Sequence, residues 1–457
     1  MENGQFVRVL TRRDVLAISF GAMVGWSWVV LSGQWVLSAG TLGAILAFTL
    51  GGIAVIVIGL TYAELASAMP QAGGEHVYSH RALGGGGAFV CTWAIILGYV
   101  SVAAFEAVAL PTVVSYIVPN LDRGYLWTVA GWDVTLSWAL IGVVGAIFMT
   151  WLNILGIKPA AFFQTVATVA IVLVGFFFIS GSFVVGEVAN FEPLFEDGAK
   201  GVLAVLVMVP FMFVGFDVIP QSAEEIDLPF AQIGKVLVVS VCLAALWYIF
   251  VILGVSLALD NEQMAAADLV TADAASAVYQ GRWAGTLLVV GGLAGILTSW
   301  NAFIVGGSRA IYAMAKSGML PGALARLHPK YNTPRNAILL IGVLSCIAPL
   351  FGRPALVWLV DAGGLAIVVA YALVALSFLV LRKREPEMAR PYKIAQGKSI
   401  GFLALILSLG LIMLYLPGSP AALIWPYEWA IILGWCCLGV VLLGISKTSM
   451  QKVKTRL

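Results

Sequence analysis

Residues 210–220 read PFMFVGFDVIP and residues 21–28 read GAMVGWSW, each inside a long apolar stretch. Because proline removes a backbone hydrogen-bond donor and glycine weakens a helix, both segments are expected to unwind partway along a helix. In hydrocarbon, a disrupted helix survives only where it is buried in protein or lines a cavity. The two interruptions therefore predict a binding site between two broken membrane helices. The alternative is that glycine and proline are simply frequent in membrane helices.

The composition of the 457-residue chain excludes several classes of protein. Apolar residues make up 61% and charged residues 11% of the chain, and its mean hydropathy is +1.00. Soluble proteins have about 45–50% apolar and about 25% charged residues, so a soluble enzyme is excluded and a multi-span membrane protein remains. The net charge of +2, without a basic stripe, predicts no nucleic-acid partner. Five cysteines without CxxC spacing predict neither a disulfide framework nor a metal site.

Apolar runs long enough to cross a hydrocarbon core about 30 Å thick occur twelve times. They cover roughly residues 15–37, 41–68, 86–117, 134–153, 160–183, 201–222, 234–259, 283–315, 336–351, 355–381, 401–417 and 427–445. If both termini are cytoplasmic, 21 of the 25 lysines and arginines lie on the inner side, which satisfies the positive-inside rule. The sequence thus predicts an all-α integral membrane protein with twelve transmembrane helices, multi-pass in the plasma (inner) membrane.

Three motifs follow one another along the chain. They are TYAELASAMPQAGGE at residues 61–75, FVGFD at 213–217 with AEE at 223–225, and SRAIYAMAK at 308–316. With these motifs the chain resembles the amino acid-polyamine-organocation permeases from about residue 12 to about residue 400, and the second motif is close to the cationic amino acid branch. The resemblance implies a five-plus-five inverted repeat with broken first and sixth helices. It also implies alternating-access transport of an amino acid, a polyamine or a small organic amine, by proton coupling or exchange.

The predicted spans leave only short loops and flanks, so one membrane domain is expected. Residues 1–14 are expected to form a cytoplasmic N-terminal segment, 15–400 the inverted-repeat transport core, 401–445 spans eleven and twelve, and 446–457 a cytoplasmic tail. The expected partners are a small-molecule amine or amino acid, a proton or counter-substrate, and the lipid bilayer. No cofactor is expected, and the oligomeric state stays open.

The interruption of span one supplies four candidate substrate-binding residues, Val24, Gly25, Trp26 and Ser27. The family usually has a small residue and a glycine after Gly25, whose amides take the substrate carboxylate. Here Trp26 and Ser27 stand at those positions, and the bulk of Trp26 would crowd an anion pocket. Trp26 either forms an aromatic wall that attracts an organic cation or packs against a neighbouring helix.

The interruption of span six supplies Phe211, Val214, Gly215 and Asp217. The resemblance implies that Phe211 is an aromatic gate and that freed carbonyls near Phe211 and Val214 receive an ammonium group. A carboxylate inside an apolar helix is costly unless a cation, a proton or a hydrogen bond compensates it. Asp217 is therefore predicted to bind a cationic head group or to change protonation during transport. The alternative is a structural acid that is hydrogen-bonded to the next helix.

Glu106 and Asn301 are further candidates for substrate binding. Glu106 is a second embedded acid, in span three, and its depth alone leaves a binding role and a structural role equally open. Asn301 ends the sequence Thr298-Ser299-Trp300-Asn301 in span eight, where polar groups at mid-depth could face the cavity.

Lys158 is the candidate for ion or proton coupling together with Asp217. It follows Gly156 at the inner end of span five. The resemblance implies that its ammonium group replaces the sodium ion of sodium-coupled relatives and braces span one against span eight. Between low-dielectric walls such a lysine could exchange protons. The alternative is a lysine that extends to the membrane surface and marks the cytoplasmic boundary.

Charged residues at the cytoplasmic ends of spans two, three, six and eight are predicted either to pair and hold the inner side closed or only to mark the topology. They are Glu64, Glu75, Arg81, Glu224, Glu225, Arg309 and Lys316.

Two functions from different classes fit the sequence. The first is a secondary transporter, and the second is a membrane sensor or receptor that binds its ligand on the same fold without moving it. The spans contain no nucleophile with a neighbouring base and no metal cluster, so no catalytic residue is assigned and an enzyme is not expected. Flux into sealed vesicles would discriminate between the two.

Overall fold

The computed structural model describes residues 6–118, 123–267, 269–419 and 421–454, with side chains up to residue 445. The first five residues of the predicted segment 1–14, and residues 455–457 of the predicted tail, lie outside the described residues. So do the side chains of the rest of that tail. The described chain is helical apart from its loops and one β-hairpin.

The first half of the chain contains seven helices and the hairpin. Their bounds are α1 Arg12–Val24, α2 Ser27–Val30, α3 Ser32–Ala39, α4 Thr41–Ala68, α5 Glu75–Ile117, β1 Tyr125–Val129, β2 Trp132–Thr135, α6 Leu136–Ile154 and α7 Ile157–Val185. A capping box at Thr11 and Asp14 starts α1, since each side chain bonds to the backbone of the other residue. The all-α prediction missed the hairpin, whose two-residue turn at Ala130 and Gly131 has positive φ at both positions.

The second half begins with the interrupted helices of the predicted sixth span. The bounds are α8 Ala199–Leu206, α9 Val209–Phe213, α10 Val218–Gln221, α11 Phe230–Ala258, α12 Asn261–Ala266, α13 Val270–Val278, α14 Arg282–Lys316, α15 Arg335–Ile347, α16 Ala355–Arg384, α17 Gly397–Tyr415 and α18 Tyr427–Lys454.

Fewer helices than the predicted twelve reach the length of a full span. Among the described residues, ten segments are long and apolar enough to cross a membrane, and there are eleven if the pair Arg12–Val30 and Ser32–Ala39, bent by 65°, counts as one span. The predicted ninth span corresponds to the shorter apolar helix Arg335–Phe351. The protein is therefore a multi-pass, helical membrane protein.

The predicted third span begins earlier than its apolar run. Helix α5 starts at Glu75 instead of residue 86 and contains one non-helical residue, Gly84, with φ 73° and ψ −171°. A glycine adopts this conformation readily, so a short helix before Gly84 joins the long one after it. This short helix buries Glu75, His76 and Tyr78, and it brings polar side chains beneath the centre of the protein.

Helix α5 lies at the centre of the fold and packs against α14 and α16. Close approach depends on small residues, since an added Cβ at Gly98 would lie 2.5 Å from Ile367 and one at Gly363 would lie 2.7 Å from Ser101. Large apolar side chains such as Phe162 and Phe176 on α7 are about 70% exposed, at 73% and 70%. Such a surface suits lipid rather than water.

Several charged residues at the cytoplasmic ends of the predicted spans form ion pairs. The guanidinium group of Arg309 donates hydrogen bonds to both carboxylate oxygens of Glu225, each at 2.9 Å. Glu64 pairs with Arg382 at 2.5 Å and with Arg390 at 3.0 Å. The pair of Arg81 with Glu385, at 2.5 Å, is largely exposed. Glu75 is buried and has no cationic partner among the described residues.

Candidate functional site

The interruption of the first span lies at Gly25. Its φ of 22° and ψ of −145° end α1, and the helix restarts at Ser27. Helix α14 passes directly beside this point, since a Cβ at Gly295 would lie 2.1 Å from the carbonyl oxygen of Gly25. The missing side chain at Gly295 therefore lets two backbones meet at the interruption.

We expect Gly295→Ala to destabilise the protein by about 1–3 kcal/mol, because the new methyl group would overlap backbone atoms that have no rotamer with which to yield. Gly410→Ala is the matched control, since nothing lies within 4 Å of a Cβ at Gly410. Apparent melting temperatures in detergent measure both variants. Equal melting temperatures for the two variants would contradict the close contact at Gly295.

The interruption of the sixth span lies between α9 and α10. Val214 is extended, and Gly215 has a φ of 135°, which favours glycine. A Cβ at Gly215 would lie 2.7 Å from the Cβ of Ala22 and 3.0 Å from the amide nitrogen of Met23. Both predicted interruptions are present, and they touch each other.

Tyr248 of α11 connects the two interruptions. Its hydroxyl oxygen lies 2.6 Å from the carbonyl oxygen of Met23 and 3.2 Å from that of Met212, and Ser27 Oγ lies 3.2 Å from the same hydroxyl. The side chain is fully buried. One phenol thus provides a partner for carbonyl groups of both broken helices.

We expect Tyr248→Phe to lower the free energy of unfolding by about 1–3 kcal/mol, because buried carbonyl groups would lose their partner. Tyr427→Phe serves as the control, since the Tyr427 side chain is 42% exposed and stacks on Trp358. Thermal unfolding in detergent measures the difference. A Tyr248→Phe protein as stable as the control would show that water replaces the phenol at no loss.

A cavity lies between the two interruptions, α5 and α14. It is lined by Ala22, Met23, Gly25, Trp26, Ser27, Val102, Phe105, Glu106, Phe211, Met212, Ser299 and Phe303. Its volume of about 20 Å³ is enough for a single water molecule. A solute the size of an amino acid therefore requires the walls to separate.

Glu106 is the acid that faces this cavity. Its side chain is buried, Ser299 Oγ donates a hydrogen bond to Oε1, and Oε2 has no partner among the described residues. A Cβ at Gly25 would lie 3.4 Å from Oε1, so the carboxyl group stands beside the first interruption. Among the described residues, no lysine, arginine or histidine lines the cavity. Glu106 is the one described side chain of this lining that can carry a negative charge.

Aromatic side chains surround the carboxyl group. Phe105 and Phe211 meet edge to face, with ring centroids 5.9 Å apart. Trp26 is fully buried and lies against α14 so closely that a Cβ at Gly292 would be 2.0 Å from its ring. Trp26 therefore packs against a neighbouring helix and also lines the cavity, and attraction of a cation by its ring stays a prediction.

Asp217 lies outside the lining of the cavity. It is fully buried, and its Oδ1 accepts a 2.7 Å hydrogen bond from the amide of Gly215, two residues earlier. Val24, Val214 and Gly215 belong to the interruptions but also do not line the cavity. Asp217 thus lies apart from the cavity lining, and its binding of a cationic group or change of protonation stays a prediction.

Asn301 belongs to a structural network instead of the cavity. Its Oδ1 accepts a hydrogen bond from Asn153 at 3.0 Å, and its Nδ2 donates to Gln164 Oε1 at 2.8 Å. Gln164 in turn donates to the carbonyl of Ala17 at 3.2 Å. Neutral amides therefore connect α1, α6, α7 and α14.

The structure does not place Lys158 between α1 and α14. Its side chain is exposed at the start of α7, and none of the hydrogen bonds or ion pairs of the described residues involves it. An exposed lysine at the end of a span can extend its ammonium group to the membrane surface. Gln164, Thr168 and Thr298 bind the backbone of α1 instead.

Comparison with known families agrees with this architecture. Residues 10–444 match the family model described as amino acid permease. The chain belongs to this family. It is thereby a member of the amino acid-polyamine-organocation superfamily, as the sequence motifs indicated.

Curated relatives of this permease differ in the substrates that their names give. The branched-chain amino acid permease BcaP of Bacillus subtilis (strain 168) is 27% identical over 89% of this chain and 88% of its own length. Cationic amino acid transporter 8, vacuolar, of Arabidopsis thaliana is 28% identical over 88% and 67%. The aspartate-proton symporter of Bacillus subtilis (strain 168) is 27% identical over 89% and 79%. The family relationship identifies a transporter and leaves the substrate to the residues of the site.

Phe105 and Tyr248 are among the residues of the permease's site that sequence reasoning missed. Phe105 immediately precedes Glu106 and packs on Phe211, but nothing in an apolar run distinguishes it. Tyr248 did carry a signal, because a phenol in the middle of the apolar helix α11 needs a hydrogen-bond partner when it is buried.

Proposed function

We propose that the protein is a secondary active transporter that moves an amino acid or a small organic amine by alternating access, with proton coupling or exchange. The observation that carries this proposal is the carboxyl group of Glu106. It faces a cavity between two broken helices, and one of its oxygens has no hydrogen-bond partner among the described residues. Broken helices whose ends meet at a central cavity are the usual arrangement for binding a charged solute in such carriers.

In the proposed complex, the substrate's ammonium group lies against Glu106 and the ring faces of Trp26 and Phe211. Cation–π attraction to these rings adds to the attraction of the carboxylate. Gly25 and Ser27 contribute backbone and hydroxyl groups at the first interruption.

Other predicted residues support the site indirectly in this proposal. Val24, Val214 and Gly215 supply the flexible backbone of the two interruptions. Asn301 holds α14 against α6 and α7. Asp217 is proposed to couple proton movement to transport. Lys158 is proposed to mark the cytoplasmic boundary of its span.

The proposed transport cycle requires the cavity to widen toward one side at a time. The cavity of about 20 Å³ is far smaller than an amino acid, so the broken helices must move apart to admit one. The contact of Gly215 with Ala22 and Met23 is the place where the two interruptions must separate.

We further propose the complete architecture of a five-plus-five inverted repeat. In it, α15 with its continuation to Phe351 is the ninth of twelve spans, and residues 15–400 form the transport core. Residues 401–445 form spans eleven and twelve, the termini at residues 1–14 and 446–457 are cytoplasmic, and the protein resides in the plasma (inner) membrane.

Uptake by purified protein in sealed liposomes tests the function. A panel of labelled amines and amino acids, chosen by thermal shift, is offered with and without an inward proton gradient. Saturable accumulation above protein-free liposomes is expected for at least one amine-bearing substrate. Saturable binding without flux would contradict transport and support a sensor built on the same fold.

A further inference from the structure

A second group of buried polar atoms lies outside the lining of the cavity, where α5 begins and α10 follows the sixth interruption. Its two acids, Glu75 and Asp217, are both 0% exposed. Gln221 Nε2 donates a hydrogen bond to Glu75 Oε2, and the amide of Gly215 donates to Asp217 Oδ1. The second oxygen of each carboxyl group has no hydrogen-bond partner among the described residues.

Side chains from three further positions of the bundle face these two carboxyl groups. Tyr62 of α4, Tyr99 of α5 and Tyr371 of α16 lie around them, with the Tyr62 hydroxyl group beside the Glu75 carboxyl group and the Tyr99 hydroxyl group beside that of Asp217. The rings of Tyr62 and Tyr371 lie 5.8 Å apart and both contact Phe216. The titratable groups that face the pair are Tyr62, Tyr78, Cys91, Tyr99 and Tyr371.

None of the groups facing the pair is a cation, and neither acid forms an ion pair within the described residues. Each buried and unpaired carboxylate costs several kcal/mol, and two that interact with each other also repel. The pair is thus more stable with one proton than with two negative charges. Interacting carboxyl groups of this kind release and bind protons as a unit.

The cluster lies between a surface cavity at the predicted cytoplasmic side and the contact between the two broken helices. Asp217 binds the amide of Gly215, the residue that touches Ala22 of the first interruption. Glu75 directly precedes His76, which lines a cytoplasmic surface cavity of about 370 Å³ together with Ala72 and Glu224. A change in the charge of Asp217 therefore alters its hydrogen bond to Gly215, which stands at the contact between the broken helices. Glu75 is adjacent in sequence to His76, which lines the surface cavity.

We propose that Glu75 and Asp217 form a shared proton site, enclosed by Tyr62, Tyr99, Tyr371 and Gln221, that releases its proton to the cytoplasm in each transport cycle. When the inner side opens, the O–H bond of the protonated carboxyl group breaks, water accepts the proton, and a carboxylate remains. Reprotonation through the outer side restores the closed arrangement. This inference rests on the proposed transport function and assigns its coupling to a pair that includes Glu75.

Infrared spectroscopy of purified protein tests the proton site without any need for transport. The carbonyl stretch of a protonated carboxyl group is compared at neutral pH for wild type, Glu75→Gln and Asp217→Asn. We expect a band in the wild type that is missing from at least one variant. Glu387→Gln and Asp227→Asn alter exposed cytoplasmic acids and should leave the band unchanged. Identical bands in the wild type and both buried-site variants would overturn the proposal.

Transport measurements test the coupling. In liposomes, Glu75→Gln is expected to lose accumulation driven by a proton gradient while it retains exchange of labelled for unlabelled substrate, since Glu106 is untouched. Gradient-driven accumulation that survives in both Glu75→Gln and Asp217→Asn would overturn the coupling, as would wild-type flux that ignores the gradient. Wild-type protein without any flux contradicts the proposed transport function. The infrared comparison, which needs no transport, then still tests whether the proton site exists. If one variant fails to fold, the other gives the result.

Discussion

Glu106→Gln is expected to remove most of the affinity for an amine substrate and, with it, its uptake. Glutamine keeps the size of the side chain and an oxygen that can accept the hydrogen bond from Ser299 Oγ, but it carries no charge. A hydrogen bond to a charged group contributes about 1.5–3 kcal/mol, which corresponds to roughly a ten- to hundredfold change in affinity. Glu106 is the one acidic residue among the described residues that line the cavity, so the substrate's ammonium group would have no other anion there.

The measurement is saturable uptake in liposomes, together with the thermal shift that the same substrate produces. Glu196→Gln provides the matched control, since it removes an exposed acid from the loop before α8. The control should behave as wild type in both measurements. If Glu106→Gln binds and transports an amine as well as the control does, the site must recognise its substrate through backbone groups instead.

The positions of the two interruptions could be predicted because their cause is local. Gly25 and Gly215 adopt backbone conformations with positive φ, and proline lies near the second of them. A membrane helix tolerates such residues only at a cavity or a protein interface, which connects local composition directly with a site. The same reasoning says nothing about which neighbouring helix closes the cavity.

The roles of the two embedded acids could not be predicted, because they depend on which way a helix face turns. Glu106 and Asp217 both lie well inside predicted spans, yet of the two only Glu106 lines the cavity. Asp217 bends back to the amide of Gly215, a local hydrogen bond that exists only once the glycine has adopted its turn. The orientation of Glu106 depends on the packing of α5 against α14 and α16, which the sequence alone does not show.

The environment of Glu75 could also not be predicted from the sequence. Charges at the cytoplasmic ends of spans were predicted to pair or to mark topology, and Glu225 with Arg309 fits that expectation. Glu75 does not, because Gly73 and Gly74 have positive φ and the chain turns sharply there. That turn starts α5 early and directs Glu75 toward Gln221 instead of water.

Arg309→Leu is expected to destabilise the protein by about 3–5 kcal/mol, because it leaves the carboxylate of Glu225 buried without a partner. The guanidinium binds both oxygens of Glu225 at 2.9 Å, and the two side chains are only 1% and 3% exposed. The backbone carbonyl of Glu225 also accepts hydrogen bonds from the amides of Val9 and Leu10 at 2.9 Å. Loss of the ion pair should therefore loosen the segment before α1 as well.

Two comparisons separate the ion pair from simple loss of a large side chain. The double variant Arg309→Leu with Glu225→Leu should be more stable than Arg309→Leu alone, since it buries no orphaned charge. Arg81→Leu breaks a pair with Glu385 whose side chains are 49% and 32% exposed, so a much smaller loss of stability than that of Arg309→Leu is expected. Apparent melting temperatures in detergent rank the three variants by stability. If Arg309→Leu is no less stable than Arg81→Leu, water must reach Glu225, and the inner end of α14 is more open than its packing indicates.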